Sequence, residues 1–366
     1  MKLSLGIVGL PNVGKSTLFN ALVRKAQAQV SNYPFCTIKP NIGIVEVPDE
    51  RLDLIAKKLN LPKKIPAPIE FIDIAGLVRG AHKGEGLGNQ FLSEIAQCDG
   101  IAMVLRAFQN PQIAHVEKEI GPKKDAETVL LEMILKDLET IEKEMEAVQK
   151  QAKSGPAFAK ASAGRQKLAL ELLEILKKVR NILDQEKPAS SAGLSADEKE
   201  VIKSIPIITQ KPIIYVLNIS EDQIKNPPKV ELPGPTILVA AKTESDLIDL
   251  PEKEANELLE SVGIKQSGLA ELIREGFKIL NLITFYTLKS DQTQAWPIPK
   301  NTPAPKAAGL IHSDFEAGFI KASVIAAEKL IEIGSWEKAK EKGQIRFEGK
   351  DYVMADGDVV KFVFQK

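Results

Sequence analysis

Residues 9–16 read Gly-Leu-Pro-Asn-Val-Gly-Lys-Ser, a set suited to holding a polyphosphate. Gly9 and Gly14 let the backbone turn with its N–H groups pointing at anionic oxygens. Lys15 can reach the β- and γ-phosphates, and the Ser16 hydroxyl can ligate Mg²⁺. Further along, Ile69-Glu-Phe-Ile-Asp73 is followed by Ala75-Gly76. A carboxylate at that strand end can hold Mg²⁺ through water, and the Gly76 N–H can meet the γ-phosphate. Between them, Tyr33-Pro-Phe-Cys-Thr37 offers the Thr37 hydroxyl as a second metal ligand once a γ-phosphate is present. A loop ordered by γ-phosphate and Mg²⁺ is how nucleotide switches store their state.

Base selection is expected from Tyr215-Val-Leu-Asn218-Ile-Ser-Glu221. GTPases carry Asn-Lys-x-Asp at such a strand end, where the aspartate accepts from guanine N1–H and the 2-amino group. Here the lysine is missing and a longer acid stands in its place. Adenine has an amino donor at C6 where guanine has a carbonyl acceptor, so the altered site relaxes or reverses a preference for guanine. Ala240-Ala241-Lys242 is similar to the short loop that flanks the base from the other side.

These residues need a scaffold that delivers them to one place. Leu3–Val8 reads as a buried strand and Ser16–Lys25 as a helix, which sets the phosphates at a helix N-terminus. Up to about residue 120, the β-branched runs Ile42–Val47, Ile69–Ile74 and Ile101–Leu105 alternate with glycine-rich loops and helical stretches. This is the texture of an α/β parallel sheet that binds ligands at its carboxyl strand ends. Strand signals resume at Pro212–Ile219 and Thr236–Ala241, and an amphipathic helix follows near Leu269–Leu280.

Between these two parts, Leu130, Ile134, Leu138, Ile141, Met145 and Val148 recur at spacings of four and three. After the breaker Ser154-Gly155-Pro156, Leu168, Leu172, Ile175, Val179 and Ile182 do the same, predicting a helical hairpin with a coiled-coil seam. Ser195-Ala-Asp-Glu198 reads as a capping box that opens a short return helix. Over residues 125–205, 13 basic residues face 15 acidic ones, so a solvated face is expected. A structural spacer is as good a reading of this hairpin as a partner-binding arm. Beyond Leu282, short strands at Ile283–Leu288 and Val359–Phe364 are expected to flank a helix around Glu316–Ala327. Asp356-Gly357 reads as a hairpin turn between Tyr352–Met354 and the last strand. The expected domains are therefore 1–124 with 206–281, an inserted hairpin at 125–205, and an α+β module at 282–366.

The chain has 366 residues, with 49 Lys plus Arg balancing 49 Asp plus Glu. No global charge drives it to DNA or to an acidic membrane. Cys36 and Cys98 are too few for a disulfide framework, which suits a reducing cytoplasm. No apolar run approaches a membrane span and no signal peptide is apparent, so a soluble intracellular protein is expected.

The residues resemble the Obg-like ATPases of the YchF type, within the translation-factor class of P-loop proteins. The resemblance covers essentially the whole chain. It rests on Gly9–Thr17, Pro34-Phe-Cys-Thr37, Asp73-Ile-Ala-Gly-Leu77, the run Gly80 to Asn89, and Asn218-x-x-Glu221. In the last module, Ala307–Phe319 and Asp356-Gly357-Asp358 are similar to the family's TGS domain. The resemblance implies a Ras-like P-loop NTPase core, an inserted coiled coil and a ubiquitin-like β-grasp end. It implies ATP as substrate, Mg²⁺ as cofactor, and association with the ribosome, its subunits and rRNA, with no membrane and no DNA partner. Residue by residue, it implies Asn12, Val13, Gly14, Lys15, Ser16 and Thr17 on the phosphates. It likewise implies Ser16 and Thr37 on Mg²⁺, and Asn218, Ile219 (through its backbone) and Glu221 on the base.

Leu77 stands where Ras-like GTPases carry a water-orienting glutamine. An apolar side chain cannot activate water, so intrinsic hydrolysis is expected to be slow. Three histidines narrow the search for a substitute. His115 follows the strand Ile101–Leu105 in a stretch similar to the family's Phe-x-Asn-x-x-Ile-x-His and is the first candidate. His82, in a glycine-rich loop, is the second, with a backbone or partner group still open; His312 is expected to be structural. Three rival readings stand beside an ATPase switch: a GTPase of the same fold, a small-molecule kinase, and a nucleotide-binding adaptor with little turnover.

Overall fold

The computed structural model describes residues 3–29, 41–74, 76, 87–112, 120–154, 160–248, 250, 254, 257, 258, 261 and 267–365. It contains two compact units, one of Met1–Ser4, Asn20–Phe71 and Glu244–Lys366, the other of Leu5–Phe19 and Ile72–Thr243.

The strands that position the site are β1 (Ser4–Val8), β2 (Ile42–Glu46), β4 (Pro68–Asp73), β5 (Gly100–Arg106), β6 (Ile213–Asn218) and β7 (Thr236–Val239), and β3 (Lys63–Ile65) belongs to a second sheet. The first sheet has the order β2-β4-β1-β5-β6-β7. β1 pairs in parallel with β5, β5 with β6 and β6 with β7. All residues of β1 and β5 are buried, as continuous apolar strands of a parallel sheet must be when both faces are covered. Each strand expected from the sequence here lies within two residues of its predicted bounds. Among the described residues no helix is long and apolar enough to cross a membrane.

After α1 (Lys15–Gln29), α2 (Glu50–Lys58) and α3 (Leu87–Gln97), helices α4 (Pro122–Ser154) and α5 (Lys160–Leu183) form the helical hairpin. At ~1.5 Å per residue, α4 is ~50 Å long. The helices run antiparallel: Arg180 pairs with Glu142 at 3.1 Å, and Glu186 lines a small cavity with Lys124 and Ile134. On α4 the predicted stripe is the observed seam, with Ile134, Ile141, Met145 and Val148 buried. On α5 the predicted stripe holds in its middle, where Ile175 and Val179 are buried and Leu172 packs against the seam, but Leu168 is 64% exposed and Leu173, Leu176 and Leu183 complete the buried set. Spacing alone does not say which leucines of a leucine-rich face meet the partner helix. The capping box is present: Ser195 Oγ accepts from the Glu198 N–H at 3.1 Å, and Glu198 accepts from the Ser195 N–H at 2.9 Å.

A buried carboxylate ties the return segment to α4. Asp137, fully buried, accepts from the Ile208 N–H (2.7 Å), the Thr209 N–H (2.7 Å) and the Thr209 hydroxyl (2.6 Å).

The second sheet has the order β11-β10-β12-β8-β9-β3, with β8 (Leu282–Leu288), β9 (Gln292–Pro299), β10 (Phe319–Ala326), β11 (Arg346–Glu348) and β12 (Asp358–Phe364). β12 lies parallel to β8 and antiparallel to β10, and helices Ala304–Ile311 and Ser313–Ala317 contribute to its core. This is the mixed α+β grasp expected of the last module, with two corrections. The helix expected around Glu316–Ala327 is the strand β10, because Phe-Ile-Lys-Ala-Ser-Val-Ile-Ala buries Phe319, Ala322, Val324 and Ile325 against the sheet. Gly318 ends the preceding helix, where a Cβ would meet the Gln365 carbonyl oxygen at 2.0 Å. Asp356-Gly357 is a turn but not a hairpin. Residues 352–354 form no strand, and Asp356 instead accepts from the Thr284 N–H and pairs with Arg51 at 2.8 Å.

Replacing Asp137 with Ala leaves two buried N–H groups without their acceptor, and should lower stability by about 2–4 kcal/mol, read from the shift in urea midpoint. Burial pushes the Asp137 carboxyl up to about 6, against its Thr209 and Ile208 donors. A carboxyl that holds its proton more tightly folded than unfolded adds stability at low pH that is lost as pH rises through 6. The stability gap between the native chain and Asp137→Asn should therefore move in the native chain's favour between pH 7 and pH 4.

Candidate nucleotide site

The loop after β1 turns sharply because two of its residues have no side chain. Gly9 has φ +153° and Gly14 φ +97°, backbone conformations that L residues rarely adopt. A Cβ on Gly9 would sit 2.4 Å from the Val104 carbonyl oxygen of β5, and one on Gly14 would sit 2.1 Å from Asn218 Nδ2. Space as well as backbone angle therefore demands glycine at both positions. Val13 is buried beneath the loop, while Asn12, Ser16 and Thr17 are exposed. Helix α1 (Lys15–Gln29) begins at the lysine, so the first N–H groups of the helix open toward the loop.

Lys15 is only 7% exposed, and its ammonium donates to the carbonyls of Gly9 (3.1 Å) and Leu10 (2.8 Å). Burial pushes it down to about 8, with Asp73 pulling the other way. Asp73, the last residue of β4, is shifted upward by burial, opposed by Lys15 and by the Ser16 hydroxyl. Ser16 Oγ donates to Asp73 Oδ2 at 3.4 Å. Gly76 lies beside them, with the Lys15 ammonium 3.0 Å from where its Cβ would be. A cation, a hydroxyl, a carboxylate and a glycine backbone from two separate stretches thus meet at the carboxyl ends of two strands.

On the other side of the loop, Asn218 ends β6 and is 6% exposed. Its Nδ2 donates to the Val13 carbonyl at 3.0 Å, and its Oδ1 accepts from the Ala241 N–H at 3.3 Å. The Ile219 N–H donates to the Val239 carbonyl, and Glu221 is exposed in the turn that follows. The structure thus brings Asn12–Thr17, Asp73, Gly76 and the segment from Asn218 together. Thr37, Leu77, His82 and His115 lie outside the described residues, as do Cys36 and residues 80–86. His312 caps a helix, accepting from the Asp314 N–H at 3.2 Å and packing on Phe315.

Two residues escaped the sequence reading. Arg106, at the end of β5, is 1% exposed and donates to the carbonyls of Phe108 (3.2 Å) and Asn110 (3.1 Å); a lone arginine after an apolar run gives no signal. Gln223 bonds to both Ser220 and Ala107. It does have a signal, since Ser220-x-x-Gln223 fits the capping-box pattern.

The glycine-bounded loop between the first parallel strand and its helix, with its lysine and the facing Ser16–Asp73 pair, defines a P-loop NTPase. The comparisons agree. A family model described as 50S ribosome-binding GTPase matches residues 4–153, and the YchF-GTPase C-terminal model, described as a protein of unknown function, matches residues 282–365. The chain is 45% identical to the protein named Ribosome-binding ATPase YchF of Bacillus subtilis, with all of both chains covered. It is 43% identical to that of Escherichia coli O157:H7, covering 100% of this chain and 99% of that one. A solved structure, the Schizosaccharomyces pombe YchF GTPase, superposes with a TM-score of 0.87 at 34% identity, covering 99% of this chain and 98% of the other. The chain belongs to the YchF family.

Gly14→Ala should leave the chain folded by circular dichroism yet weaken triphosphate binding by roughly tenfold or more, because either the loop or the Asn218 amide must move. Titration of a fluorescent triphosphate analogue measures this.

Proposed function

We propose that the chain hydrolyses ATP in preference to GTP, with Mg²⁺, as a slow nucleotide-controlled switch that associates with the ribosome. The observation that carries this reading is the use of Asn218. Its amide is engaged between Val13 and Ala241, so the purine edge is left to the turn after β6 and the Ile219 backbone. There the acid is Glu221, without the lysine that accompanies a guanine-reading aspartate. A carboxylate accepts from the C6 amino group of adenine and repels the C6 carbonyl of guanine.

Ser16 and Asp73 offer two hard oxygen donors 3.4 Å apart, a donor set that suits Mg²⁺; in this reading Thr37 joins them. Held by these residues, the ion would supply positive charge against the phosphates. Lys15 would exchange its two carbonyl partners for phosphate oxygens, Asn12–Thr17 would line the phosphates, and the Gly76 N–H would meet the γ-phosphate. His115 would orient the attacking water in place of the missing glutamine. The hairpin at 125–205 and the module at 282–366 would present the nucleotide state to the ribosome and its rRNA, in the cytoplasm. Support for that partner comes from the relatives named Ribosome-binding ATPase.

A GTPase is the second reading, favoured by the word GTPase in the description of the Schizosaccharomyces pombe structure. Competition of ATP and GTP for the purified chain should favour ATP several-fold; a several-fold preference for GTP would remove the base assignment. His115→Ala should slow phosphate release about a hundredfold with nucleotide affinity unchanged, whereas wild-type turnover would take that histidine out of the mechanism.

A further inference from the structure

We propose that Gln223 is a positioning residue for purine choice, acting by clamping the turn that carries Glu221 to the end of β5. The inference rests on the reading of Glu221 as the base-facing acid. That turn, Glu221–Gln223, is a single 3₁₀ turn directly after β6. Among the described residues the Glu221 side chain makes no hydrogen bond, so its direction is set by the backbone beneath it.

One amide secures that backbone. Gln223 Oε1 accepts from the Ser220 N–H at 2.9 Å and from the Ser220 hydroxyl at 3.0 Å, while Nε2 donates to the Ala107 carbonyl at 2.8 Å. The partners fix which end of the amide is which. A flipped side chain would set its N–H group against the Ser220 N–H and its oxygen against the Ala107 oxygen. The turn is thereby tied both to its own first residue and to a neighbouring strand end.

The anchor is firm. The Ala107 N–H donates to the Asn218 carbonyl at 2.9 Å, next to the side chain that holds the phosphate loop. The buried Arg106 gathers the following residues by its bonds to Phe108 and Asn110, and its guanidinium lies 4.6 Å from the Phe108 ring centre. Gln223 thus refers the position of Glu221 to the same strand end that positions Asn218. Without it, the turn keeps only local bonds, such as Ile224 N–H to the Glu221 carbonyl, and the acid is free to serve either purine.

The test uses the full chain with Gln223→Leu, Gln223→Glu, Ser220→Ala and Glu221→Ala. Dissociation constants for ATP and GTP are measured by competition with a fluorescent triphosphate analogue, and kcat is measured at saturating ATP. Gln223→Leu removes all three bonds and should reduce the ATP-over-GTP preference by roughly fivefold or more, the scale of at least one lost neutral hydrogen bond. Gln223→Glu keeps the Ser220 contacts but sets a carboxylate against the Ala107 carbonyl, and should act in the same direction. Ser220→Ala removes only the hydroxyl contact and should shift the ratio less. The change should appear in the affinity ratio and not in kcat, and Gln223→Leu added to Glu221→Ala should produce no further shift. If Glu221→Ala alters the ratio while both Gln223 variants keep the native one, the positioning role is overturned. If Glu221→Ala leaves the ratio unchanged, the base reading itself fails and takes this role with it.

Discussion

The side-chain amide of Asn218 joins three stretches of chain that lie far apart in sequence. It fills the volume that Gly14 leaves by lacking a Cβ, and from there bonds to Val13 on the phosphate loop and Ala241 on the segment after β7. The loop that would take phosphate and the strand end that would face the base are therefore fixed relative to each other by one buried group. A buried amide with both ends satisfied is worth more than its two bonds, because losing it strands a carbonyl and an N–H away from water. The parallel registers of β5 on β6 and β6 on β7 place that amide, and burial of the strands on both faces leaves the registers little freedom to slip.

Electrostatics at the loop follow from the same compactness. Lys15 is held in a setting that disfavours its charge, facing carbonyl oxygens and a carboxylate whose own charge is disfavoured. Each group is costly alone and partly relieved by the other, as buried opposite charges are. A ligand bringing negative charge to the lysine and a cation to the carboxylate together, as a metal-bound polyphosphate does, would relieve both costs.

What the sequence disclosed and what it concealed divide along physical lines. The strands of the first sheet were readable because each is a short apolar run bounded by glycine or a polar strand end, and the glycine spacing of the loop leaves few alternatives. The α4 seam was readable because its apolar residues have one face to share. On α5, Leu168, Leu170, Leu172 and Leu173 offer two registers, and contact with α4 chose the one that leaves Leu168 exposed. In the last module the stretch expected as helix around Glu316–Ala327 is largely the strand β10, favoured by Ile320, Val324 and Ile325 and by pairing with β11 and β12. The role of Arg106 is hidden for another reason: it works through the backbone carbonyls of Phe108 and Asn110, which no side-chain pattern reports.

The short strand β3 contains only Lys63, Lys64 and Ile65, yet it pairs in parallel with β9 and forms one border of the second sheet. The helix before it is capped by Asp49, which also accepts from the Tyr286 hydroxyl at 2.5 Å. The C-terminal fold thus borrows a strand from a point more than two hundred residues earlier in the chain. Cut free at Leu282, that sheet would present the bare backbone of β9 to solvent, an invitation to pair with another copy. Its proper boundary is spatial, not sequential, and a fragment meant to behave as a well-mannered monomer would have to carry residues 49–65 with it.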